Sequence, residues 1–157
     1  MARILVIDDD VQVRGAVRRI LERAGHTVED VGNGDAGLRA HRERPADLII
    51  TDIFMPERDG IETVRQLRRE SPQVKIIVIS GGDRTQTMDL RKDAELLGAA
   101  RSLRKPFELS ELVQAVGELL GLPSASGAGA PPRVRTRTLR SSYVESCDET
   151  PGRWWPA

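Results

Sequence analysis

The chain has 157 residues, enough for one domain with a sizeable core, since domains typically run ~100 to 150 residues. Its 24 basic side chains balance 24 acidic ones, so overall charge argues neither for nucleic acid nor for an acidic substrate, and Cys147, the single cysteine, excludes an internal disulfide and a cysteine-rich metal site. Nothing approaches the ~20 apolar residues of a membrane span, and the apolar run in MARILVIDDD is shorter than the ~7 to 15 residues of a signal-peptide core, so a cytoplasmic protein without membrane insertion is expected.

The first element, Arg3 to Ile7, is a short apolar run suited to a buried strand, and it ends abruptly in Asp8, Asp9 and Asp10. Adjacent carboxylates repel and raise one another's pKa, so this triplet needs a helix end or a cation beside it. Asp10 directly precedes a helical stripe of Val13, Ala16, Val17, Ile20 and Leu21, where aspartate is a good N-cap worth ~1 kcal/mol. Gly25 follows at a C-terminal cap position. A weaker strand, His26 to Val31, leads to a helix over Asp35 to Arg42 that is broken by Pro45. Leu48 to Thr51 is the second strong strand and runs into Asp52; a helix over Gly60 to Arg69 ends before Pro72. Val74 to Ser80 is the third strong strand, followed by a helix over Thr85 to Leu97 and a weaker strand from Ala100 to Leu103. Leu109, Leu112, Val113, Val116, Leu119 and Leu120 make the last helical stripe, with Gly121 after it.

The order βαβαβαβαβα, with strands apolar throughout, predicts a parallel sheet of five strands wound with helices on both faces. Ligands of such sheets bind outside the carboxyl ends of the strands, where strand order reverses. After Leu122 the composition shifts to PSASGAGAPP, which cannot bury enough apolar surface to offset its ordering entropy. Residues 1–121 are therefore expected to form the domain and 122–157 a flexible tail. The segment beginning at Arg133 holds five arginines against three acids, leaving 19 basic and 21 acidic residues, net −2, in the remainder.

If the first and third strands are neighbours, Asp8, Asp9 and Asp52 meet in one cleft. Few, hard oxygen ligands with room for water suit Mg²⁺ better than zinc or calcium. Lys105, in RSLRKPF, would bring an ammonium to the same edge, and Ser80, closing IIVIS, a hydroxyl. Each residue alone has a plainer reading: acids that solvate a strand end, a surface lysine, a serine bonded within a turn. Together, a carboxylate nucleophile, a divalent cation, a hydroxyl and an ammonium suit the transfer of a phosphoryl group to Asp52.

The motifs ILVIDDD, LIITDIFMPERDG, IIVIS and LRKPF, in this order, resemble those of the receiver domains of bacterial two-component response regulators over residues 3 to about 121. The resemblance implies the (βα)5 CheY-like, flavodoxin-like fold with strand order 2-1-3-4-5. It implies Asp52 as phosphoacceptor from a phosphohistidine, Asp9 as a direct Mg²⁺ ligand, Asp8 as its partner through water, and the Phe54 main-chain carbonyl as a further ligand. Ser80 matches the hydroxyl residue that follows the phosphoryl group, and Lys105 the lysine that pairs with it. Pro106 matches a proline whose preceding peptide bond is typically cis. Met55, Pro56 and Gly60 match the turn after the phosphoacceptor strand. The implied partners are a sensor histidine kinase or histidine phosphotransfer protein and a downstream protein target.

Two positions depart from or refine the pattern. Receivers often carry an aromatic residue three positions before the lysine, where this chain has Ser102, so a ring-based switch is not expected and any change of state falls to the loop with Gly81 and Gly82 and the helix after it. Phe54 stands where the family tunes access of water to the acyl phosphate, and a ring leaning over the site would slow hydrolysis. The leading reading is a stand-alone receiver without a separate output enzyme, catalysing only its own phosphoryl transfer and hydrolysis; a phosphorelay intermediate is the alternative. A tail that contacts nucleic acid through RVRTRTLR, or a protein through Trp154 and Trp155, is a further reading, but some 36 residues cannot supply a helix-turn-helix domain and nucleic acid is not expected. A phosphatase with an aspartyl nucleophile would need a cap and an acid two residues after Asp52, where Phe54 stands. A homodimer through the helices after strands four and five is compatible with the pattern. His26 and His41 read as surface residues.

Overall fold

Runs such as RILVI and LIITD leave no polar side for water, so they are stable only where both faces of the strand are covered. The computed structural model describes residues 1–53, 60–81 and 98–121. Among them, β1 (Arg3–Ile7), α1 (Val11–Arg23), β2 (Thr27–Val31), α2 (Gly34–Glu43), β3 (Leu48–Asp52), α3 (Gly60–Glu70), β4 (Lys75–Gly81), β5 (Arg101–Lys105) and α4 (Leu109–Leu119) follow one another. The expected helix over Thr85 to Leu97, the positions Phe54, Met55, Pro56 and Gly82, and the tail from residue 122 lie outside the described residues.

All strand pairs are parallel, in the order β2-β1-β3-β4-β5. Successive side chains of a strand point to opposite faces, and the strands supply two cores accordingly. Ile4 and Val6 of β1 pack with Val13, Val17 and Leu21 of α1 and with Leu112 and Val116 of α4. Leu5 and Ile7 pack on the other side with Leu38 of α2 and Val64 and Leu67 of α3. The sheet is therefore doubly wound, as expected, and each fully covered isoleucine or leucine in it contributes ~1.5 to 3 kcal/mol.

The helix ends are held as their residues dictate. Asp10 caps α1, its Oδ1 accepting from the amides of Gln12 at 2.9 Å and Val13 at 3.4 Å. Gly25 and Gly121, at φ 92° and 67°, take the left-handed conformation that closes α1 and α4. Asn33 caps α2 by accepting from the Ala36 amide at 2.8 Å, which starts that helix one residue before the expected Asp35.

The two histidines are not surface residues. His26 is 9 % exposed and His41 only 4 %. His41 follows Gly34, Gly37 and Leu38 at helical spacing and so falls on the buried stripe of α2, although its sequence neighbours are charged. Its Nδ1 accepts the Ala46 amide at 3.1 Å and its Nε2 lies 2.9 Å from Ser71 Oγ, joining α2 to the end of α3. His26 follows the turn at Gly25, where its amide donates back to the Leu21 carbonyl.

Candidate functional site

Register brings the acids together. Ile7 is level with Thr51 across β1 and β3, so the next residues, Asp8 just past β1 and Asp52 closing β3, lie side by side at one edge of the sheet. This is the point where the chain, having placed β2 on one side of β1, places β3 on the other, and it is the crevice such sheets offer to ligands. Asp8, Asp9 and Asp52 each bring a carboxylate oxygen within 4.8 Å of the others. Gly81 pairs with Lys105 across β4 and β5, which carries β5 two residues past the expected Leu103 and delivers Lys105 to the same edge. The Lys105–Pro106 peptide bond is cis.

The cluster is almost dry. Asp8, Asp52 and Lys105 are 1 %, 2 % and 3 % exposed. Lys105 Nζ donates to Asp52 Oδ2 at 2.9 Å and to Asp8 Oδ2 at 3.1 Å, while Asp8 Oδ1 accepts the Asp10 amide at 2.9 Å. Burial pushes the Asp8 carboxyl up to about 7; Lys105 opposes that rise and the charge of Asp52 adds to it. Burial also works against the Lys105 ammonium, but the carboxylates of Asp52 and Asp8 outweigh it and hold its pKa above the ordinary value. Among the described residues, one lysine thus faces two buried acids with a third at their side.

Asp9 Oδ1 is buried and has no hydrogen-bond partner among the described residues. A buried carboxylate oxygen with nothing to bond, beside two more carboxylates, fits a divalent cation, and a ligand set made only of oxygen suits Mg²⁺.

Ser80, on β4 and 8 % exposed, is near the cluster's edge of the sheet, but its Oγ donates to the Leu103 carbonyl at a long 3.5 Å. Gly60 opens α3 directly on the backbone of the acid: a Cβ there would lie 2.2 Å from the Asp52 carbonyl oxygen. Ser102 is half-buried on β5, level with Val78. Arg14 is the residue that sequence reasoning missed. Its Nη1 donates to the Asp8 main-chain carbonyl at 2.7 Å and its Nε to Asp30 Oδ2 at 3.1 Å. Its place one helical turn after Asp10, from which a long side chain leans back over the helix N-terminus, was the available signal.

A doubly wound parallel sheet with buried acids and a lysine at its switch point defines a protein of the CheY-like class. The family model described as response regulator receiver domain matches residues 4–117, and the chain belongs to that family. It is 37 % identical over 120 residues to the response regulator receiver protein CpdR of Brucella abortus, a match that covers 76 % of this chain and 98 % of CpdR. It is also 37 % identical over 119 residues to the DNA-binding transcriptional regulator NtrC of Azospirillum brasilense, covering 76 % of this chain but only 24 % of that protein. Among solved structures, the chemotaxis response regulator CheY4 of Vibrio cholerae superposes with a TM-score of 0.68 at 27 % identity, over 76 % of this chain and 98 % of CheY4.

Receiver domains of this family accept phosphoryl groups, bind Mg²⁺ at an acidic pocket and interact with histidine kinases. Among the described residues, no helix is long and apolar enough to cross a membrane.

Proposed function

We propose that Asp52 is the phosphoacceptor of this receiver and that the phosphoryl donor is a phosphohistidine on a sensor kinase or histidine phosphotransfer protein. The observation that carries this reading is the buried Asp52 carboxylate at the carboxyl end of β3, 2.9 Å from Lys105 Nζ and clustered with Asp8 and Asp9. A carboxylate oxygen of Asp52 attacks phosphorus in line with the phosphorus–nitrogen bond of the donor. The new phosphorus–oxygen bond forms as the phosphorus–nitrogen bond breaks, and its electron pair leaves on the imidazole nitrogen.

Lys105 keeps its proton through this step and balances charge on the phosphoryl oxygens, an attraction of roughly 4 kcal/mol at ~4 Å and an effective dielectric of ~20. Among the described residues, Ser80 has only a long bond to Leu103 to give up, so its hydroxyl can turn to donate to one of those oxygens. A Mg²⁺ ion held by Asp8, Asp9, Asp52 and the Phe54 carbonyl would neutralise further charge on the transferred group. The match over nearly all of CpdR supports a receiver that signals through its own altered surface, to a downstream protein partner.

Incubation with acetyl phosphate and Mg²⁺, followed by intact-mass measurement, tests the assignment. One phosphoryl group is expected on the wild type, and none on Asp52→Asn or in the presence of chelator. Equal labelling of Asp52→Asn would move the acceptor elsewhere.

A further inference from the structure

Among the described residues, little holds the Asp9 carboxylate in place. Its buried Oδ1 bonds nothing among the described residues, so its direction is set by the main chain around it. That main chain has already left the sheet: the last residue of β1 paired with β2 is Ile7, opposite Val31. The Asp8 amide still donates to the Val31 carbonyl at 3.2 Å, but the Asp8 carbonyl, the first half of the peptide that carries Asp9, lies beyond the ladder between the strands.

Arg14 fills that gap. Its Nη1 bonds the Asp8 carbonyl at 2.7 Å while its Nε is anchored to Asp30 on β2 at 3.1 Å. Asp30 is itself held by Arg18 Nη1 at 2.8 Å, and Arg18 Nε by Glu22 at 2.8 Å. The position after β2 is Gly32, where a Cβ would come within 3.1 Å of Arg14 Nη1, so the glycine leaves room for the guanidinium. We infer that Arg14 is a positioning residue for the cation site: it ties the Asp8–Asp9 peptide to β2 and thereby aims the Asp9 carboxylate.

This rests on the proposed Mg²⁺ site, and the sign of the effect separates positioning from charge. Arg14 is a cation touching the backbone of a cation site, so by electrostatics alone its removal would tighten Mg²⁺ binding. Positioning predicts the opposite, a loss on the scale of residues that orient metal ligands, roughly tenfold in Kd for Arg14→Gln.

Mg²⁺ titration by calorimetry on the full chain, with urea unfolding in parallel, reads the result. Arg18→Gln, which also strips a partner from Asp30 but leaves the Asp8 carbonyl bond, is expected to stay within about twofold of wild type. In metal-free protein, hydrogen exchange of the Asp8 amide should quicken in Arg14→Gln and not in Arg18→Gln. Binding by Arg14→Gln as tight as wild type, or tighter, overturns the inference. If Arg14→Gln does not fold, Gly32→Ala displaces the guanidinium by a few tenths of an ångström; weaker Mg²⁺ binding there supports the inference and unchanged binding overturns it. A wild type that binds no Mg²⁺ overturns the cation site itself, a failure distinct from an Arg14 variant that binds normally.

Discussion

Lys105 Nζ stands 2.9 Å from Asp52 Oδ2 where the two side chains are 1 % and 2 % exposed, and the same ammonium serves Asp8 at 3.1 Å. Among the described residues, two buried carboxylates thus share one lysine. In Mg²⁺-free buffer, Lys105→Met leaves both without it and is expected to cost about 3 to 5 kcal/mol in urea unfolding. Asp52→Asn instead leaves the lysine paired with Asp8 alone and is expected to cost less than about 1 kcal/mol or to stabilise. Equal losses in the two variants would show that the shared lysine is not what balances the cluster.

The proposed cation site gathers Asp8, Asp9 and Asp52 only in the folded state, so Mg²⁺ bound there would stabilise the fold. At about a hundred times its Kd, Mg²⁺ should add ~2.7 kcal/mol to the free energy of unfolding, and chelator should remove it. Asp9→Asn takes away the carboxylate with the orphaned oxygen, so its unfolding midpoint should be nearly indifferent to Mg²⁺. A full Mg²⁺ effect in that variant would exclude Asp9 as a ligand.

Gly60 packs against the end of β3 through its missing side chain. A Cβ there would lie 2.2 Å from the Asp52 carbonyl oxygen and 2.5 Å from Ile53 Cα, both backbone atoms that cannot swing aside. Gly60→Ala is expected to destabilise by about 3 kcal/mol and to weaken Mg²⁺ binding as Asp52 shifts. Gly117, inside α4 with nothing within 4 Å of its added Cβ, is the opposite case. Gly117→Ala should stabilise by about 0.5 to 1 kcal/mol, and chemical unfolding of both variants tests the contrast.

His41 makes stability depend on pH far from the cluster. Its Nδ1 accepts the Ala46 amide, so the folded ring is neutral with its proton on Nε2, facing Ser71. Burial lowers its pKa from the ordinary 6.5, against the charge of Glu70 and with that of Arg3. Because the unfolded ring takes up its proton first, this contribution is complete above about pH 6.5 and is lost as pH falls toward the depressed folded value. Between about pH 7.5 and 5, wild type should lose stability with a slope component of up to ~1.4 kcal/mol per pH unit that His41→Gln lacks. An NMR titration placing His41 above 6.5 would contradict this.

Much of the molecule is legible along the chain because its strands and helices are local patterns. Arg3–Ile7 appears with the expected bounds, and Leu48–Asp52 and Lys75–Gly81 within a residue of them, because runs apolar on both faces have few other stable conformations. Asp10 before a helical stripe is a cap on local grounds alone. Asp8, Asp9, Asp52 and Lys105 were also legible, since a parallel sheet sends the carboxyl ends of its strands to one edge and the side chains that follow must gather there.

What only the tertiary structure decided depends on neighbours distant in sequence. A histidine beside arginines reads as exposed until α2 packs on α3 and its stripe of Gly34, Gly37, Leu38 and His41 turns inward. Ser80 announces a hydroxyl at a strand end, but pairing with β5 determines that it bonds Leu103. Arg14 reads as one more solvated arginine of α1 until β2 lies beside β1 and brings Asp30 within reach of the same guanidinium that holds the Asp8 carbonyl. Local periodicity specifies which face of an element is apolar; the partner of a charged group is chosen by which strands become neighbours, and that is a property of the assembled sheet.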